Sequence, residues 1–331
     1  MKNYDLIRPK EIYKQVLEQR EIDGRLFYKK YQHRFFKVFC PACGNKGKPV
    51  FNKYGFSHKL CRYCQTLYCS PRPDDDLLAL YYNSYKAPKM WTKLLIESDI
   101  QRKILQYNPR VEKIVSILKK HGISRNGKAL DVGAGSGAFS LSLKKSGFFS
   151  EVIAIDVSES CVRACKNQKL TAFCAQVKNM DDHSVGLVCM NDLIEHVFNP
   201  RLLLDECYRV LRKKGFLSIA TPNGEGFDFK ILKDKTRNIT PPEHLTYFNP
   251  SSLKMLLEKC GFQVISAQTA GTLDVEMILK EKENGFALRK RNEYLDYLLS
   301  KEEKILKNFQ SFISKNKLSS HMLIVAQKKK E

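Results

Sequence analysis

The sequence predicts an α/β fold, in which a largely parallel sheet is covered by helices and is preceded by a small cysteine-rich module. Three observations support this prediction. From about residue 128, short apolar runs alternate with helical segments. A glycine-rich turn follows the first apolar run, and two Cys-x-x-Cys pairs precede the alternating pattern. With 331 residues, the chain is long enough for one large domain with attachments.

The chain is strongly basic, and the charge is concentrated at its N-terminal end. The formal net charge is +22, and residues 1–72 carry 16 Lys/Arg against 5 Asp/Glu. A basic module of this kind can contact phosphate in nucleic acid or in a nucleotide-linked substrate, or it can be an ordinary solvated surface. There is no apolar run of membrane-spanning length and no apolar signal core, so we expect a cytoplasmic protein.

The alternation of apolar and polar segments suggests four regions. We predict a basic helical segment (1–38), a four-cysteine module (39–72), connecting helices (73–120) and the main domain (121–331). Seven strands are predicted, at residues 129–132, 152–155, 172–174, 185–190, 215–220, 262–265 and 321–326. About fifty residues separate the last two strands, which is too long for a structureless loop, so we predict a helical insertion at about 272–318.

The turn after the first predicted strand has the composition of a cofactor-binding loop. Its spacing, Gly133-x-Gly135-x-Gly137, is one residue shorter than the usual dinucleotide fingerprint, and the triphosphate-binding Gly-Lys-Ser/Thr is absent. Asp131 would repel a pyrophosphate but suits a cationic ligand that carries an amino-acid group. Asp156 ends the second predicted strand, where a carboxylate can accept hydrogen bonds from ribose hydroxyls.

From about residue 120 to the end, the chain resembles class I S-adenosylmethionine-dependent methyltransferases. The resemblance rests on the glycine-rich motif Asp131–Gly137, on Asp156, on Asn191–Val197 after the fourth strand, and on the His244–Leu253 segment. It implies a Rossmann-like seven-stranded sheet with S-adenosylmethionine at its carboxyl edge. The implied cofactor-binding residues are Asp131, Gly133, Ala134, Gly135, Gly137, Asp156, Val157, Asn191 and Asp192.

Two histidines are candidates for removing a proton from the methyl acceptor. A histidine can act as a general base near neutral pH, and His196 and His244 both occur in segments that carry the resemblance. Glu195 is the third predicted catalytic residue. The alternatives stay open: Glu195 and His196 can act as supports near the cofactor, and His244 can simply pack on its neighbours. The other histidines, His321 among them, have no comparable context.

The two cysteine pairs predict a structural zinc site. Cys40 and Cys43 are separated from Cys61 and Cys64 by seventeen residues, which suits a tetrahedral four-thiolate site with no open coordination position. The region resembles the N-terminal zinc ribbon of one bacterial branch of these methyltransferases. That branch includes sugar C-methyltransferases and enzymes of surface-polysaccharide and natural-product pathways. Gln65 stands where the branch usually has glycine.

Together these features predict a methyltransferase that acts on the oxygen or carbon of a small-molecule acceptor, such as a nucleotide-linked sugar, which can carry phosphate. A first alternative is an RNA methyltransferase, because basic and aromatic residues interleave in the N-terminal segment from Leu26 to Phe36. A second is a cofactor-binding scaffold without turnover. The sequence does not determine the acceptor or the oligomeric state.

Overall fold

The structure is a computed structural model that describes residues 3–123, 127–269, 271–283 and 293–329. Its N-terminal third consists of helices on either side of a small sheet. The elements are α1 (Asn3–Ile7), α2 (Lys10–Tyr31), β1 (Gly47–Lys53), β2 (Phe56–Cys61), β3 (Leu67–Cys69), α3 (Asp75–Ser84), α4 (Lys86–Glu97), α5 (Asp99–Arg102) and α6 (Asn108–Lys120). Short turns of 3-10 helix and of π-helix occur at Gln32–Arg34 and Lys103–Tyr107.

The rest of the chain alternates strands and helices, as the sequence predicts. The elements are β4 (Gly127–Val132), α7 (Ala138–Lys145), β5 (Phe149–Asp156), α8 (Glu159–Asn167), β6 (Thr171–Cys174), β7 (Val185–Asn191), α9 (Pro200–Val210), β8 (Leu211–Pro222), α10 (Phe227–Leu232), β9 (Thr246–Tyr247), α11 (Pro250–Lys259), β10 (Phe262–Gln268), α12 (Asp274–Glu283), α13 (Glu293–Leu299), α14 (Glu303–Lys315) and β11 (His321–Lys328). The α/β prediction is confirmed, and all seven predicted strands are present.

The large sheet has seven strands in the order β10-β11-β8-β7-β4-β5-β6. β4 lies near its centre and pairs in parallel with β5 and β7. The central strands are buried on both faces: Ala129, Leu130, Leu187 and Val188 have no exposed surface. Helices on both faces supply the partners for these apolar side chains, which is the Rossmann-like arrangement. The carboxyl ends of β4, β5, β7 and β8 therefore meet along one edge.

The sheet is mixed, because β11 runs antiparallel to both of its neighbours, β8 and β10. β10 points the same way as β8 and ends at the carboxyl edge, and the insertion that follows it stays at that edge. Its helices α12 to α14 form an apolar cluster with α10, which follows the carboxyl end of β8. The chain therefore enters β11 from the carboxyl edge and runs in the opposite direction. Residues 284–292 of the predicted insertion lie outside the described residues.

A second, four-stranded sheet joins the cysteine region to the main domain. β1, β2 and β3 pair antiparallel, and β9 pairs with β3 through Leu67–Tyr247 and Tyr68–Thr246. The backbone amide of Cys69 also donates to the carbonyl of Leu245 at 2.8 Å. Since β9 begins two residues after His244, this sheet helps to fix the position of a predicted catalytic residue.

Side-chain caps begin several of the helices. Asp74 accepts from the amide of Leu77 and begins α3, in agreement with the acidic start that the sequence shows. For α11 the sequence indicates a cap near residues 250 and 251. The structure places it one residue earlier, because the side chain of Asn249 accepts from the amide of Ser252 while Pro250 occupies the first helical position.

The N-terminal helices pack on the main domain through buried polar and aromatic side chains. Arg20 of α2 forms an ion pair with Glu243, with Nη2 and Oε2 2.6 Å apart and both side chains less than 10% exposed. Phe27 is fully buried between Tyr31, Phe35 and Tyr81. α2 is thus part of the folded body. Among the described residues, no helix combines the length and apolar character needed to cross a membrane.

Candidate active site

The glycine-rich turn lies between the end of β4 and the start of α7. Gly133, Gly135 and Gly137 all have positive φ, at 69°, 55° and 84°. A Cβ on Gly133 would lie 2.9 Å from the side chain of Leu193, and a Cβ on Gly137 would lie 2.9 Å from Cys165 Sγ. Glycine is therefore required at both positions for conformation and for space. Gly135 has open space in front of it, which leaves its backbone accessible to a ligand.

Two carboxylates flank this turn at the ends of neighbouring strands. Asp131 is 1% exposed and accepts a hydrogen bond from Ser140 Oγ. Burial raises the pKa of Asp131 to about 7, so a cationic ligand beside it would stabilise its charged form. Asp156 Oδ2 accepts from the amide of Gly135 at 2.9 Å, and its Oδ1 accepts from the amide of Ser158. Burial raises the pKa of Asp156 as well.

The end of β7 adds a third set of polar groups. Asn191 Oδ1 accepts from Arg110 Nη1 at 2.7 Å. Asp192 has a φ of 51°, and its Oδ1 lies 2.7 Å from His321 Nε2. Burial acts to raise the pKa of Asp192, but the contact with His321 and the charge of Arg110 hold it well below its ordinary value. Asp192 is therefore ionised at neutral pH, and about half of its side chain is exposed at the cavity.

Glu195, His196 and His244 form a cluster behind this strand end. The rings of His196 and His244 are perpendicular, with centroids 4.6 Å apart. His196 Nε2 lies 4.0 Å from Glu195 Oε1, and Glu195 Oε2 accepts from Thr221 Oγ1 at 2.8 Å. His196 Nδ1 is 2.7 Å from the hydroxyl of Tyr82. The three sequence-predicted catalytic residues, which come from two separate segments of the chain, thus lie together.

Burial sets the charge state of this cluster. It lowers the pKa of His196 to about 4 and holds that of His244 well below its ordinary value. It also raises the pKa of Glu195 well above its usual range, since that side chain has no exposed surface. Both imidazoles are therefore neutral at pH 7, and burial favours the uncharged form of Glu195. Neutral imidazoles can accept a proton, as a general base must.

A single large cavity connects these groups. It has a volume of about 1570 Å³, and its wall includes all the predicted cofactor-binding residues except Gly137, as well as the three predicted catalytic residues. Gly137 instead begins α7 behind the turn. Ligand pockets usually have volumes of about 300–1,000 Å³, so there is room for a cofactor and an acceptor together.

Two groups of side chains have the spacing of metal ligands. The four sulfurs of Cys40, Cys43, Cys61 and Cys64 lie within 4.8 Å of one another. The knuckle turns are closed by hydrogen bonds from Gly44 N to Cys40 O and from Gln65 N to Cys61 O. Gln65 takes the left-handed conformation, with a φ of 58°, that glycine usually supplies there. Glu195, His196 and His244 each place one possible ligand atom within 4.8 Å of the others, so together they could hold a cation.

Three further side chains at the site were not singled out by the sequence analysis: Tyr82, Arg110 and His321. Tyr82 comes from α3 and Arg110 from α6, both in the segment interpreted only as connecting helices. His321 was given no role, yet it bonds Asp192 because β11 begins at the carboxyl edge of the sheet, opposite Pro222. His321 begins the seventh strand, so an antiparallel direction for that strand would have predicted this histidine at the carboxyl edge. No direction is predicted for the strand from the sequence.

The comparisons with known proteins agree with this geometry. The model of a family described as "Methyltransferase domain" matches residues 101–267, which is half of the chain. A probable S-adenosylmethionine-dependent methyltransferase of Mycolicibacterium smegmatis is 35% identical over 85 residues, which are 26% of this chain and 31% of the relative. A ubiquinone biosynthesis O-methyltransferase of Coxiella burnetii is 24% identical over 174 residues, covering 47% of this chain and 68% of the relative.

An uncharacterized protein of Methanocaldococcus jannaschii is 21% identical over 155 residues, covering 46% of this chain and 72% of the relative. The chain spans less than a third of the mycobacterial relative and about two thirds or more of the other two. The family match includes the glycine-rich turn, Asp156 and the Glu195–His196 pair. The chain therefore belongs to the methyltransferase-domain family, and it is an S-adenosylmethionine-dependent methyltransferase.

Proposed function

We propose that the chain transfers a methyl group to the oxygen or carbon of a small molecule, such as a nucleotide-linked sugar or a related metabolite. The observation that carries this proposal is the cavity: His196 and His244 line the same cavity as the glycine-rich turn, and helices of the N-terminal third form part of its wall. An acceptor that reaches the histidines must fit inside this space. A small molecule meets that requirement directly.

The cofactor residues fit S-adenosylmethionine on structural grounds. Asp131 is a buried carboxylate that forms no ion pair within the described residues, and Gly135 lines the cavity. Asp131 would attract the cofactor's amino group, and Asp156 would accept hydrogen bonds from ribose hydroxyls. When bound, S-adenosylmethionine supplies an electrophilic methyl group on sulfur. The chain must then align the acceptor and take up its proton.

His244 is the better placed of the two histidines to take up that proton. Its Nδ1 lies 2.7 Å from the carbonyl oxygen of Asn238, which can only accept a hydrogen bond. Nδ1 must therefore carry the proton of the neutral ring, which leaves the lone pair on Nε2. His196 has a hydroxyl partner, Tyr82, which allows either tautomer. We assign His244 as the general base and give His196, held by Tyr82, a positioning role beside Glu195.

The four cysteines support a structural zinc site. The Sγ–Sγ distance is 3.4 Å both for Cys40–Cys64 and for Cys43–Cys61. This is close to the sulfur–sulfur distance in a tetrahedral site with Zn–S bonds of about 2.3 Å. Four thiolates leave no open position, so the metal would stabilise the small sheet and take no part in methyl transfer. The cluster does not line the cavity, which agrees with a purely structural role.

RNA as the acceptor receives less support from the structure. The RNA alternative needs exposed aromatic rings beside the basic residues of the N-terminal segment. Phe27 is fully buried, while Tyr28, Tyr31 and Phe35 pack against the same apolar cluster; Phe36 is about half exposed. Most of these rings therefore belong to the core and are not available to stack on bases.

The distinguishing experiment is methyl transfer into fractions of different size. The purified chain is incubated with radiolabelled S-adenosylmethionine and with either a small-molecule extract or total RNA. We expect label in the small-molecule fraction, abolished by Asp131→Ala, and only background in RNA. Label in RNA alone would overturn the proposed acceptor class. Binding of the cofactor without transfer to either fraction would support the scaffold alternative.

A further inference from the structure

Several arginines line the cavity. Arg20 is paired with Glu243 and Arg237 with Glu281. Arg8, Arg102 and Arg110 also line it, but none of them is part of an ion pair within the described part of the chain. Arg110 bonds Asn191, whereas the charge of Asp192 acts on Arg8 and Arg102 without a direct ion pair.

Arg8 lies between α1 and α2 and is held by aromatic rings. Its guanidinium carbon is 4.9 Å from the ring centre of Tyr4 and 5.5 Å from that of Tyr13. Its Nε is buried and has no hydrogen-bond partner among the described residues. A buried donor on a charged group without a partner is costly, and side chains in this state usually have an acceptor when a ligand is bound.

Arg102 is placed beside Arg8 by a short hydrogen-bond network. Its Nη2 donates to the carbonyl of Ile7 at 3.1 Å, the residue that directly precedes Arg8, and its Nε donates to Ser98 Oγ at 2.8 Å. Burial lowers the pKa of Arg102, and the nearby charge of Arg8 lowers it further. Two like charges held together at low exposure repel each other unless an anion lies close to both.

Trp91 links the pair to the histidine cluster. The guanidinium carbon of Arg102 lies 5.6 Å from the centre of the Trp91 ring and that of Arg20 lies 4.4 Å from it. Arg20 in turn pairs with Glu243, the residue before His244. The charge of Asp192 also acts on Arg8 and Arg102, so the pair lies between the end of β7 and the histidines that face the acceptor.

We infer that Arg8 and Arg102 form a binding site for an anionic group of the methyl acceptor, with phosphate as the group that fits best. A guanidinium binds phosphate through two parallel hydrogen bonds, and two adjacent guanidinium groups suit a doubly charged phosphate better than a carboxylate. The rings of Tyr4 and Tyr13 lie against Arg8 and that of Trp91 lies against Arg102, which holds the two guanidinium groups in place. The inference rests on the proposed small-molecule acceptor.

The test measures anion binding directly, by calorimetry on the full chain saturated with S-adenosylhomocysteine. Inorganic phosphate and pyrophosphate are the phosphate probes, and succinate is the carboxylate probe, all at constant ionic strength. We expect pyrophosphate to bind the wild-type chain and Arg8→Gln to weaken this binding at least tenfold. Arg8→Lys, which keeps the charge but loses the planar fork, should lie between the two. Melting temperatures establish that each variant is folded.

The matched control is Arg25→Gln, which removes an exposed arginine of α2 paired only with Glu21. It should leave pyrophosphate binding unchanged. Equal binding in wild type and Arg8→Gln, or no binding of any probe, would overturn the inference. Binding of succinate alone would keep the anion site but assign it to a carboxylate. A loss of S-adenosylhomocysteine affinity in Arg8→Gln would assign the pair to the cofactor instead and would overturn the acceptor site.

The binding assay is independent of methyl transfer, so the two proposals can fail separately. If small molecules are methylated but no anion binds at Arg8, only the inferred anion site is wrong. If pyrophosphate binds through Arg8 but label enters RNA alone, the proposed acceptor class is wrong and the site belongs to another phosphate-bearing ligand.

Discussion

The hydrogen bond between His244 and Asn238 fixes which nitrogen of a buried imidazole can act. A carbonyl accepts but never donates, so Nδ1 of His244 holds the proton and Nε2 presents its lone pair. Burial keeps the ring neutral well below its ordinary pKa. A base of this kind remains active in mildly acidic solution, because only its protonated form is inactive.

We therefore predict that His244→Asn lowers kcat by about 10²- to 10⁴-fold while the affinity for S-adenosylmethionine changes little, as measured by steady-state kinetics and calorimetry. His196→Asn should reduce kcat less, because it removes only the positioning group. The pH profile of kcat, measured at saturating S-adenosylmethionine so that the titration of Asp131 in the free enzyme does not contribute, should stay level from about pH 8 to about pH 5, since burial lowers the pKa of His196 to about 4 and that of His244 as well.

His33 is exposed and lies outside the cavity, so it provides the control. His33→Asn should leave both kcat and the pH profile unchanged. A profile that falls tenfold between pH 6.5 and 5.5 would show an ordinary histidine at work and would contradict the assignment.

Asp156 provides a second test at the scale of single residues. Asp156→Asn removes the charge that would strengthen hydrogen bonds from ribose hydroxyls, a loss of about 1.5–3 kcal/mol. We expect affinity for S-adenosylmethionine to fall by about tenfold to a hundredfold in calorimetry. Asp182→Asn is the control, since this carboxylate is 65% exposed and pairs with Arg209 on the surface. Equal losses in the two variants would argue against a specific contact at Asp156.

At the scale of elements, the β3–β9 pairing links the cysteine region to the catalytic segment. The amide of Cys69 donates to the carbonyl of Leu245, and Tyr68 pairs with Thr246 across the two strands. His244 lies immediately before that contact. A metal that orders the ribbon would therefore also hold His244 in place, although the metal itself would lie outside the cavity.

We predict that the purified chain holds about one zinc ion and that Cys61→Ser releases it, as measured by elemental analysis. Loss of the metal should speed hydrogen exchange of the Cys69 amide, which donates to the carbonyl of Leu245, and should lower kcat. The affinity for S-adenosylmethionine should change less, because the glycine-rich turn belongs to the other sheet. Cys174→Ser, at an exposed cysteine, should alter none of these quantities. A metal-free wild type with the same exchange rates would contradict the prediction.

At the scale of the whole molecule, the Arg20–Glu243 ion pair connects α2 to the residue next to His244. Arg20 donates to both carboxylate oxygens of Glu243, at 3.1 and 2.6 Å, and its guanidinium lies 4.4 Å from the ring centre of Trp91. Because both partners are buried, loss of one leaves the other as an unpaired charge in a poorly hydrated place.

Glu243→Gln should therefore lower the free energy of unfolding by about 3–5 kcal/mol in urea titrations followed by circular dichroism. The double variant Arg20→Leu/Glu243→Leu should recover much of this loss, because no unpaired charge remains. Glu21→Gln, in an exposed pair with Arg25, should cost less than about 1 kcal/mol. A Glu243→Gln variant as stable as wild type would show that water reaches the pair.

The sequence by itself determined the features that depend on local spacing. Strand ends and residue intervals identify the glycine-rich turn, Asp131 and Asp156. The repeated Cys-x-x-Cys spacing identifies the cysteine pairs. Each of these features could be recognised without knowing which residues pack against it. Their positions at the carboxyl edge follow because parallel strands end at the same edge.

Only the tertiary structure decided which distant side chains complete the site. Tyr82, Arg110, His321 and Arg8 come from segments far apart in the chain, and the direction in which each points depends on packing that no local pattern records. The antiparallel course of β11 brought His321 to Asp192. Burial, which is a property of the assembled molecule, set the neutral state of His196 and His244 on which the proposed chemistry depends.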